Sequence, residues 1–394
     1  MTQTVYLDHN ATTPLDRRAL EAMMPYLTGE FGNPSSNTHQ WGLRARQAVE
    51  EARASVAHLV GAGPEEIVFT SGATEANNLA IKGACRLGAN GNARRHVVTT
   101  AIEHPSVSAA VSALEKEGFE TVAVLPDALG TVHPETLLEA VREDTVLVSV
   151  PAANGEIGTL QPVREIAARC REQDVIFHSD ATQAVGKIPV DVTEMNIDLL
   201  AMSSHKLYGP KGVGALFVRA GIELEPIISG GGQERGLRPG TLNVPGIVGL
   251  GVVARLCLGE MEVEAARQRE LCRMLWDGIL KSVPDAKLNG HAEHRLPGTL
   301  NVAFPQVNAE RMMLMLKDFA FSASSACHSD REEPSPVLSA IGLDADLIGC
   351  SVRFGLGKGT TAEDIERLVA GIDKAVRRIR GPVMGTTSHA LRNN

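Results

Sequence analysis

Hydrophobic and polar residues alternate between helical and strand-like patterns through the first two-thirds of the chain. Residues 42–61 carry apolar side chains at helical spacing, and residues 65–72 form a short β-rich run that ends at glycine. Residues 73–88 return to a helical pattern, and residues 96–106 predict a strand followed by a turn. This alternation is typical of an α/β fold with a mostly parallel sheet.

Three later segments share one pattern, an apolar strand whose carboxyl end runs into polar residues. They span residues 145–158, 175–186 and 197–212, and the last two carry Asp180 and Lys206 at that end. Continuous apolar strands are typical of a sheet that is buried on both faces. Because ligands of open α/β sheets bind outside the carboxyl ends of the strands, we expect these polar residues to share one site.

The pattern changes near residue 260. A long helical segment leads there into short strand-like runs over residues 296–305, 318–328 and 350–357, and a further helix is predicted over residues 360–381. These segments predict a second, α+β domain. The polar residues that follow are expected to be disordered.

Length and composition indicate a globular protein with large cores. The 394 residues, 43% of them hydrophobic, favour two domains over one. The formal net charge of −9 argues against a main role in binding nucleic acid or anionic membranes.

The sequence predicts neither a signal peptide nor a membrane span. The N-terminus lacks a charged region followed by a long apolar one, and no apolar run approaches the roughly 18 residues that a spanning helix needs. The six cysteines have no regular spacing, which is unlike a disulfide framework. A reducing cytoplasm is therefore the expected compartment.

Candidate site residues lie where predicted strands end. Residues 71–74 start a helix, where free N–H groups favour a phosphate, although serine or threonine is more often only a cap there. Asp180 is suited to capping a helix, binding a metal or holding a proton on a heterocycle. Lys206 is either a desolvated amine suited to Schiff-base chemistry or a solvated loop lysine. His104 is either a ring-binding residue or a hydrogen-bonded structural histidine.

Taken together, these residues indicate a site for pyridoxal phosphate. A phosphate-binding helix start, a histidine, an aspartate and a lysine follow one another on successive strand–helix units. Pyridoxal phosphate needs a lysine that binds it covalently, a carboxylate beside its ring nitrogen and a helix N-terminus for its phosphate. The combination is far more specific than any one of its parts.

A series of longer motifs resembles the cysteine desulfurases, the NifS/IscS-like class of pyridoxal phosphate enzymes in the class-V aminotransferase family. The motifs include VYLDHNATTP, FGNPSS, FTSGATEANNLAI, EHPSV, HSDATQAVGK, SSHKLYGPKGVGAL, GGGQERGLRPGT, SSAC and SVRFGLG, in that order. The resemblance covers nearly all of the chain except its tail. It implies an α/β fold, fold type I of the pyridoxal phosphate-dependent transferases, as in aspartate aminotransferase.

The resemblance also implies a division into domains. Residues 15–259 would form a large, cofactor-binding α/β domain with a mostly parallel sheet. Residues 1–14 and 260–381 would form a smaller α+β domain that carries the loop of Cys327, and residues 382–394 would be a flexible tail.

Single residues match positions whose roles are known in the family. Lys206 matches the lysine that binds the cofactor, His104 the histidine stacked on its ring, and Cys327 the nucleophile. The resemblance implies that Lys206 or a nearby histidine moves the Cα proton of the substrate. The other matches are Asp180 (ring nitrogen), Gln183 and a substitute role for Asn154 (ring oxygen), Ala73, Thr74, Ser203 and His205 (phosphate), Thr241 (phosphate of the partner subunit's cofactor), Arg353 (substrate carboxylate) and Asn33 (an assisting role).

The implied activity is the removal of sulfur from L-cysteine. The Cys327 thiolate attacks the substrate sulfur, which leaves L-alanine and a persulfide on Cys327 for transfer to an acceptor protein. Thr241 implies a homodimer with cofactor sites near the subunit interface. No metal, no direct contact with nucleic acid and no membrane partner is expected.

Departures from the family pattern point to a specialised branch. Gly155 stands where the family has an asparagine near the ring oxygen, and a lost hydrogen bond would cost roughly 0.5–1.5 kcal/mol unless Asn154 or water replaces it. The Cys327 loop lacks a usual glycine and carries His328 in place of a neutral residue, and RFGLGKG differs from the usual Arg-Phe-Ser-Leu. One such branch supplies sulfur for DNA phosphorothioation instead of iron–sulfur cluster assembly.

Three alternative interpretations stay open on the sequence alone. A selenocysteine lyase or cysteine lyase on the same fold would act on a related β-substituted amino acid. A weakly catalytic scaffold that docks sulfur-transfer partners would account for Gly155 and the altered loop. A metal site at Cys327 and His328 is the weakest, because no further ligands follow at a usable spacing.

Overall fold

The structure, a computed structural model, describes residues 4–89, 94–323 and 334–381. Cys327 and the tail predicted over residues 382–394 lie outside the described residues. Within them the chain forms two main sheets, each covered by helices.

The strands and helices are numbered in chain order. The strands are β1 (Val5–Tyr6), β2 (Ile67–Thr70), β3 (His96–Thr100), β4 (Glu120–Val124), β5 (Thr145–Ser149), β6 (Ile176–Asp180), β7 (Leu199–Ser203), β8 (Gly214–Val218), β9 (Lys287–Asn289), β10 (Thr299–Ala303), β11 (Phe319–Ala320), β12 (Ser322–Ala323) and β13 (Ser351–Gly355). The α-helices are α1 (Arg17–Thr28), α2 (Gln40–Val60), α3 (Ala73–Ala89), α4 (Pro105–Glu115), α5 (Pro134–Leu138), α6 (Val163–Glu172), α7 (Val244–Ser282), α8 (Ala309–Met315), α9 (Pro336–Ala340), α10 (Ala345–Gly349) and α11 (Ala362–Arg380).

The larger sheet has the strand order β2-β8-β7-β6-β5-β3-β4. The neighbouring strands from β4 to β7 pair in parallel, and β8 pairs antiparallel with both β7 and β2. Only β8 therefore runs against the others, and the prediction of a mostly parallel α/β sheet is confirmed. All carboxyl ends except that of β8 consequently meet at one edge.

Helices cover both faces of this sheet, so its strands are buried on either side. Leu199 and Ala201 of β7 pack in the core formed with α3 and α4. Leu200 and Met202 point the other way, into the core formed with α2, α6 and α7. Alternation of side chains between two apolar cores explains why these strands are apolar throughout.

The smaller sheet is antiparallel, with the order β12-β13-β10-β9, and β1 pairs with β11 beside it. Its core contains side chains from α8, α11 and the second half of α7. Helix α7 crosses the predicted boundary at residue 259, because Leu250 packs in the core of the larger sheet and Leu275 in that of the smaller one. The predicted domain limits stay a prediction.

Helix α7 is long and apolar enough, by length and composition, to cross a membrane. The prediction that no uninterrupted apolar run approaches this length still holds, because Arg255 and Glu260 interrupt the apolar part of α7. Of its apolar stretch, 56% is buried inside the protein, where Leu250 and Val253 belong to the main core. Packing in a core accounts for its apolar character.

A buried ion pair attaches the GGGQERG motif to the larger sheet. The Arg53 guanidinium donates two 2.7 Å hydrogen bonds to the Glu234 carboxylate, which also accepts one from the N–H of Phe69 in β2. Glu234 and Arg235 have φ values of 46° and 57°, a left-handed conformation that few side chains adopt. The ion pair holds this strained turn in place.

We expect Glu234→Ala to destabilise the fold by about 3–5 kcal/mol, because the charged Arg53 side chain loses its buried partner and keeps only the exposed Glu50. Glu50→Ala is the control, since Glu50 also pairs with Arg53 but its side chain is 56% exposed; its loss should cost at most about 1 kcal/mol. Urea unfolding measures both differences. Equal losses for the two variants would contradict this interpretation.

Candidate active site

Polar residues at the carboxyl edge of the larger sheet line a cavity of about 960 Å³. The strands β2, β3, β5, β6 and β7 run into it, and Arg353 enters from β13 of the smaller sheet. The predicted site residues in its wall are Ala73, Thr74, His104, Asn154, Asp180, Gln183, Ser203, His205, Lys206 and Arg353.

Two predicted residues lie elsewhere in the described chain. Asn33 and Thr241 are exposed and do not line the cavity. The Oδ1 atom of Asn33 accepts a 2.9 Å hydrogen bond from the N–H of Ser35, as in a local turn. The roles predicted for these two residues stay predictions, and Cys327 lies outside the described residues.

Lys206 ends a short 3-10 helix, Ser204–Lys206, directly after β7. Its Nζ donates hydrogen bonds of 2.6 Å to the carbonyl oxygens of both Asn10 and Ala11. Burial and then the nearby Arg353 guanidinium lower the pKa of Lys206 to about 8, although Asp180 and Asp8 act in the opposite direction. Part of the amine is therefore unprotonated near neutral pH, as a nucleophilic lysine requires.

Asp180 is the last residue of β6 and is 7% exposed. Its Oδ2 atom accepts a 2.8 Å hydrogen bond from Asn77 of α3, and its Oδ1 atom accepts one of 2.9 Å from the N–H of Thr182. These two donors orient the carboxylate towards the cavity without neutralising its charge. Such a carboxylate is suited to a cationic ring nitrogen.

Asn77 also orients His104, which caps the start of α4. Its side-chain amide donates to the Ser106 hydroxyl at 2.9 Å, and that hydroxyl lies 2.8 Å from Nδ1 of His104. The N–H of Ser106 donates to the same Nδ1 atom, so this nitrogen acts as an acceptor and the neutral ring carries its proton on Nε2. Sequence reasoning missed Asn77; its only signal is a polar residue on the buried face of α3.

The start of α3 forms one end of the cavity, together with Ser203 and His205. The first N–H groups of a helix have no acceptor inside it, so those of Ala73 and Thr74 are suited to an anion. Nδ1 of His205 lies 3.0 Å from the Thr12 hydroxyl. Burial, then Lys206, lower the pKa of His205 to about 4. The ring is therefore neutral at pH 7 and binds by hydrogen bonding.

Gly155 lies against Gln183, the residue predicted to contact the ring oxygen. A Cβ atom at Gly155 would stand 2.8 Å from Nε2 of Gln183. This nitrogen donates to the Asn10 carbonyl at 3.0 Å, and the Gln183 oxygen accepts a 2.7 Å hydrogen bond from Lys187. The absence of a side chain at Gly155 thus makes room for the Gln183 amide.

The Asn154 side chain stabilises its own loop. Its Nδ2 donates to the Ile102 carbonyl at 3.0 Å, and its Oδ1 accepts hydrogen bonds from the N–H groups of Glu156 and Ile157. Asn154 borders the cavity, but these bonds give it a structural role. A substitute role at the ring oxygen stays a prediction.

Arg353 joins the two sheets at the cavity. Its guanidinium donates at 2.7 Å to Asp8 and at 3.3 Å to the Gly155 carbonyl, and its Nε atom is buried with no hydrogen-bond partner among the described residues. Because Arg353 lines the cavity, its guanidinium is suited to an incoming carboxylate. Sequence reasoning missed Asp8 and Asn10, although both belong to the quoted motif VYLDHNATTP.

The donors and acceptors of this cavity fit pyridoxal phosphate. Lys206 supplies the amine, Asp180 a buried carboxylate with a free direction into the cavity, and the start of α3 an anion site. His104 stands with a fixed ring at the same wall.

We expect Gly155→Ala to weaken binding of pyridoxal phosphate several-fold, because the new methyl group displaces the Gln183 amide. Titration of cofactor-free protein, followed by absorbance, measures this affinity. Gly259→Ala is the control, since no atom lies within 4 Å of a Cβ there. In protein that already carries Gln183→Ala, the substitution Gly155→Ala should cause no further loss of affinity. A further loss would show that the clash with Gln183 is not the cause.

We expect Arg353→Gln to raise the pKa of Lys206 above its value of about 8, because it removes a positive charge that lowers that pKa. The rate of Lys206 acylation against pH in cofactor-free protein, read by peptide mass spectrometry, reports the pKa. The remote substitution Arg380→Gln should leave the profile unchanged. A profile for Arg353→Gln that stays in place or moves to lower pH would disprove the prediction.

Comparisons with known proteins agree with this geometry. The model of the family described as Aminotransferase class-V matches residues 5–368. The cysteine desulfurase IscS of Anaeromyxobacter sp. (strain K) is 48% identical over 379 residues, which are 95% of this chain and 93% of that protein.

Solved structures show the same fold. A NifS-like protein superposes with a TM-score of 0.88 at 36% identity, over 94% of this chain and 99% of the other. A structure described as SspA in complex with cysteine has a TM-score of 0.80 at 38% identity, over 90% of this chain and 99% of the other. This chain therefore belongs to the class-V aminotransferase family and has the pyridoxal phosphate-dependent fold type I that the sequence predicted.

Proposed function

We propose that this protein is a pyridoxal phosphate-dependent cysteine desulfurase, which removes sulfur from L-cysteine and releases L-alanine. The observation that carries the proposal is one cavity that combines Lys206, Asp180 and Arg353. The residues that flank the Cys327 segment also line this cavity, with Ala323 before the segment and Ser335 after it. Similarity to the IscS protein and to the cysteine-bound SspA structure supports the same reaction and substrate.

The cofactor would be held by groups that already point into the cavity. Lys206 would bind it covalently, Asp180 would pair with its ring nitrogen, and His104 would lie against its ring. The start of α3, with Ser203 and His205, would bind the phosphate. Pyridoxal phosphate supplies an aldehyde that takes up the amino group of the substrate and a ring that draws electrons from its Cα.

Residues of this chain bind the substrate and move its protons. Arg353 binds the carboxylate of L-cysteine, because its guanidinium lines the cavity. Lys206 accepts the Cα proton, because a pKa of about 8 leaves part of the amine unprotonated at neutral pH. The Asp180 carboxylate holds a proton at the adjacent ring nitrogen throughout.

Cys327 receives the sulfur. It lies four positions after Ala323 of the cavity wall, a reach of at most about 14 Å for an extended chain. The Cys327 thiolate forms a bond to the substrate sulfur while the carbon–sulfur bond breaks. The electron pair of that bond stays on carbon, which is protonated to give the methyl group of alanine, and Cys327 is left as a persulfide.

The assembly and the sulfur acceptor are parts of the same proposal. A homodimer agrees with the exposure of Thr241 and with large apolar side chains on the surface at Leu27, Phe31 and Trp41, which are 55%, 73% and 51% exposed. The persulfide passes to an acceptor protein in the cytoplasm. That acceptor serves iron–sulfur cluster assembly, DNA phosphorothioation or another thio-modification.

After incubation with L-cysteine, we expect the peptide that contains Cys327 to gain the mass of one sulfur atom, and alanine to accumulate. Mass spectrometry under non-reducing conditions and amino-acid analysis measure the two products. Cys327→Ala should abolish the mass gain, and Lys206→Ala should abolish both products. Cys350→Ala is the matched control for an unrelated thiol. Alanine release at the full rate by Cys327→Ser would refute the role of Cys327.

A further inference from the structure

We propose that Glu103 is a positioning residue that stands uncharged beside His104 and, through Ser149 and His178, supports the strand end that carries Asp180. The proposal rests on the cofactor-binding roles proposed above for His104 and Asp180. The buried carboxyl group of Glu103 has no part in the reaction proposed above.

Glu103, Ser149 and His178 form a chain of hydrogen bonds across three adjacent strands. Glu103 follows β3, borders the cavity and is 7% exposed. The Ser149 hydroxyl, at the end of β5, donates to Oε1 of Glu103 at 2.9 Å and lies 2.9 Å from Nδ1 of His178 in β6. His178 is two residues before Asp180, so both side chains project from the same face of β6.

The surroundings of Glu103 favour its uncharged form. Its Oε2 atom is buried without a hydrogen-bond partner among the described residues, where it forms no ion pair with a basic side chain. An ionised carboxylate in such a place loses its hydration without compensation. Burial and then the charge of Asp180 raise the pKa of Glu103 to about 8, against weaker opposing effects of the Ser149 hydroxyl and the His104 N–H.

The other titratable groups that face Glu103 agree with this assignment. From β6, His178 is fully buried, and burial lowers its pKa to about 4, so its ring is neutral at pH 7. Asp180 is the negative charge on the same strand, and His104 neighbours Glu103 along the chain. Neither Ser149 nor Asn77 of α3 carries a charge. With Glu103 uncharged, Asp180 supplies the negative charge that the end of β6 presents to the expected cation of the cofactor ring.

The first test compares Glu103→Gln with the wild type in unfolding experiments on the cofactor-loaded protein across pH. A carboxyl group whose folded-state pKa is raised stabilises the fold most below its unfolded value of 4.5, and this stabilisation is lost as the pH rises through about 8. The stability of Glu103→Gln relative to wild type should therefore increase between these pH values and level off above them. Glu139→Gln, which removes an exposed carboxylate, should show no such increase.

Infrared difference spectra provide an independent reading of the charge. Wild type minus Glu103→Gln at pH 6 should show the carbonyl band of a protonated carboxylic acid, and this band should disappear as the pH passes about 8. A spectrum that shows only an ionised carboxylate at pH 6 would overturn the proposal. So would a stability difference that is flat between pH 4.5 and 8.

The positioning role is tested by affinity for pyridoxal phosphate at pH 7. Glu103→Gln keeps an uncharged partner for Ser149 and should bind the cofactor as the wild type does. Ser149→Ala breaks the chain of hydrogen bonds from Glu103 to His178 and should bind the cofactor several-fold more weakly. If Ser149→Ala binds the cofactor as tightly as the wild type, the proposed positioning role of these hydrogen bonds is rejected. None of these readings requires sulfur release or Cys327, so their failure is distinct from a failure of the proposed desulfurase activity.

Discussion

Hydrogen bonds from Lys206 to the carbonyl oxygens of Asn10 and Ala11 connect the carboxyl edge of the larger sheet to the N-terminal segment, residues 8–13. The same segment reaches the smaller sheet, because Asp8 pairs with Arg353 and the Asn10 side chain donates to Thr299. The positions of the Lys206 amine and of the Arg353 guanidinium therefore depend on one short segment. The cavity exists where this segment joins the two sheets.

Burial lowers the pKa values of the basic groups around this cavity, while hydrogen bonds stabilise its buried carboxylate Asp180. It removes charge from His205 and His178 and lowers the pKa of Lys206, since none of these gains a carboxylate in direct contact. Asp180 receives two N–H donors instead. The result is one cavity wall with an amine of lowered pKa and a carboxylate fixed by hydrogen bonds.

Gly155 departs from the family pattern, and the structure explains this glycine differently from the sequence. From the sequence, it is a lost hydrogen bond to the cofactor ring. In the fold, its backbone lies against Gln183, which Lys187 and Asn10 hold in place. The glycine is thus part of the packing around a predicted ring contact, and Asn154 is occupied by its own loop.

The sequence by itself determined the alternation of helices and strands and the site residues that follow strand ends, such as Lys206 and Asp180. These are local features, because hydrophobic periodicity and the residues after a strand are read within one segment. Only the tertiary structure decided the partners Asp8, Asn77 and Glu103 and the burial of α7. Their roles depend on contacts between residues far apart in the chain, and on burial that shifts a pKa only after the cores have formed.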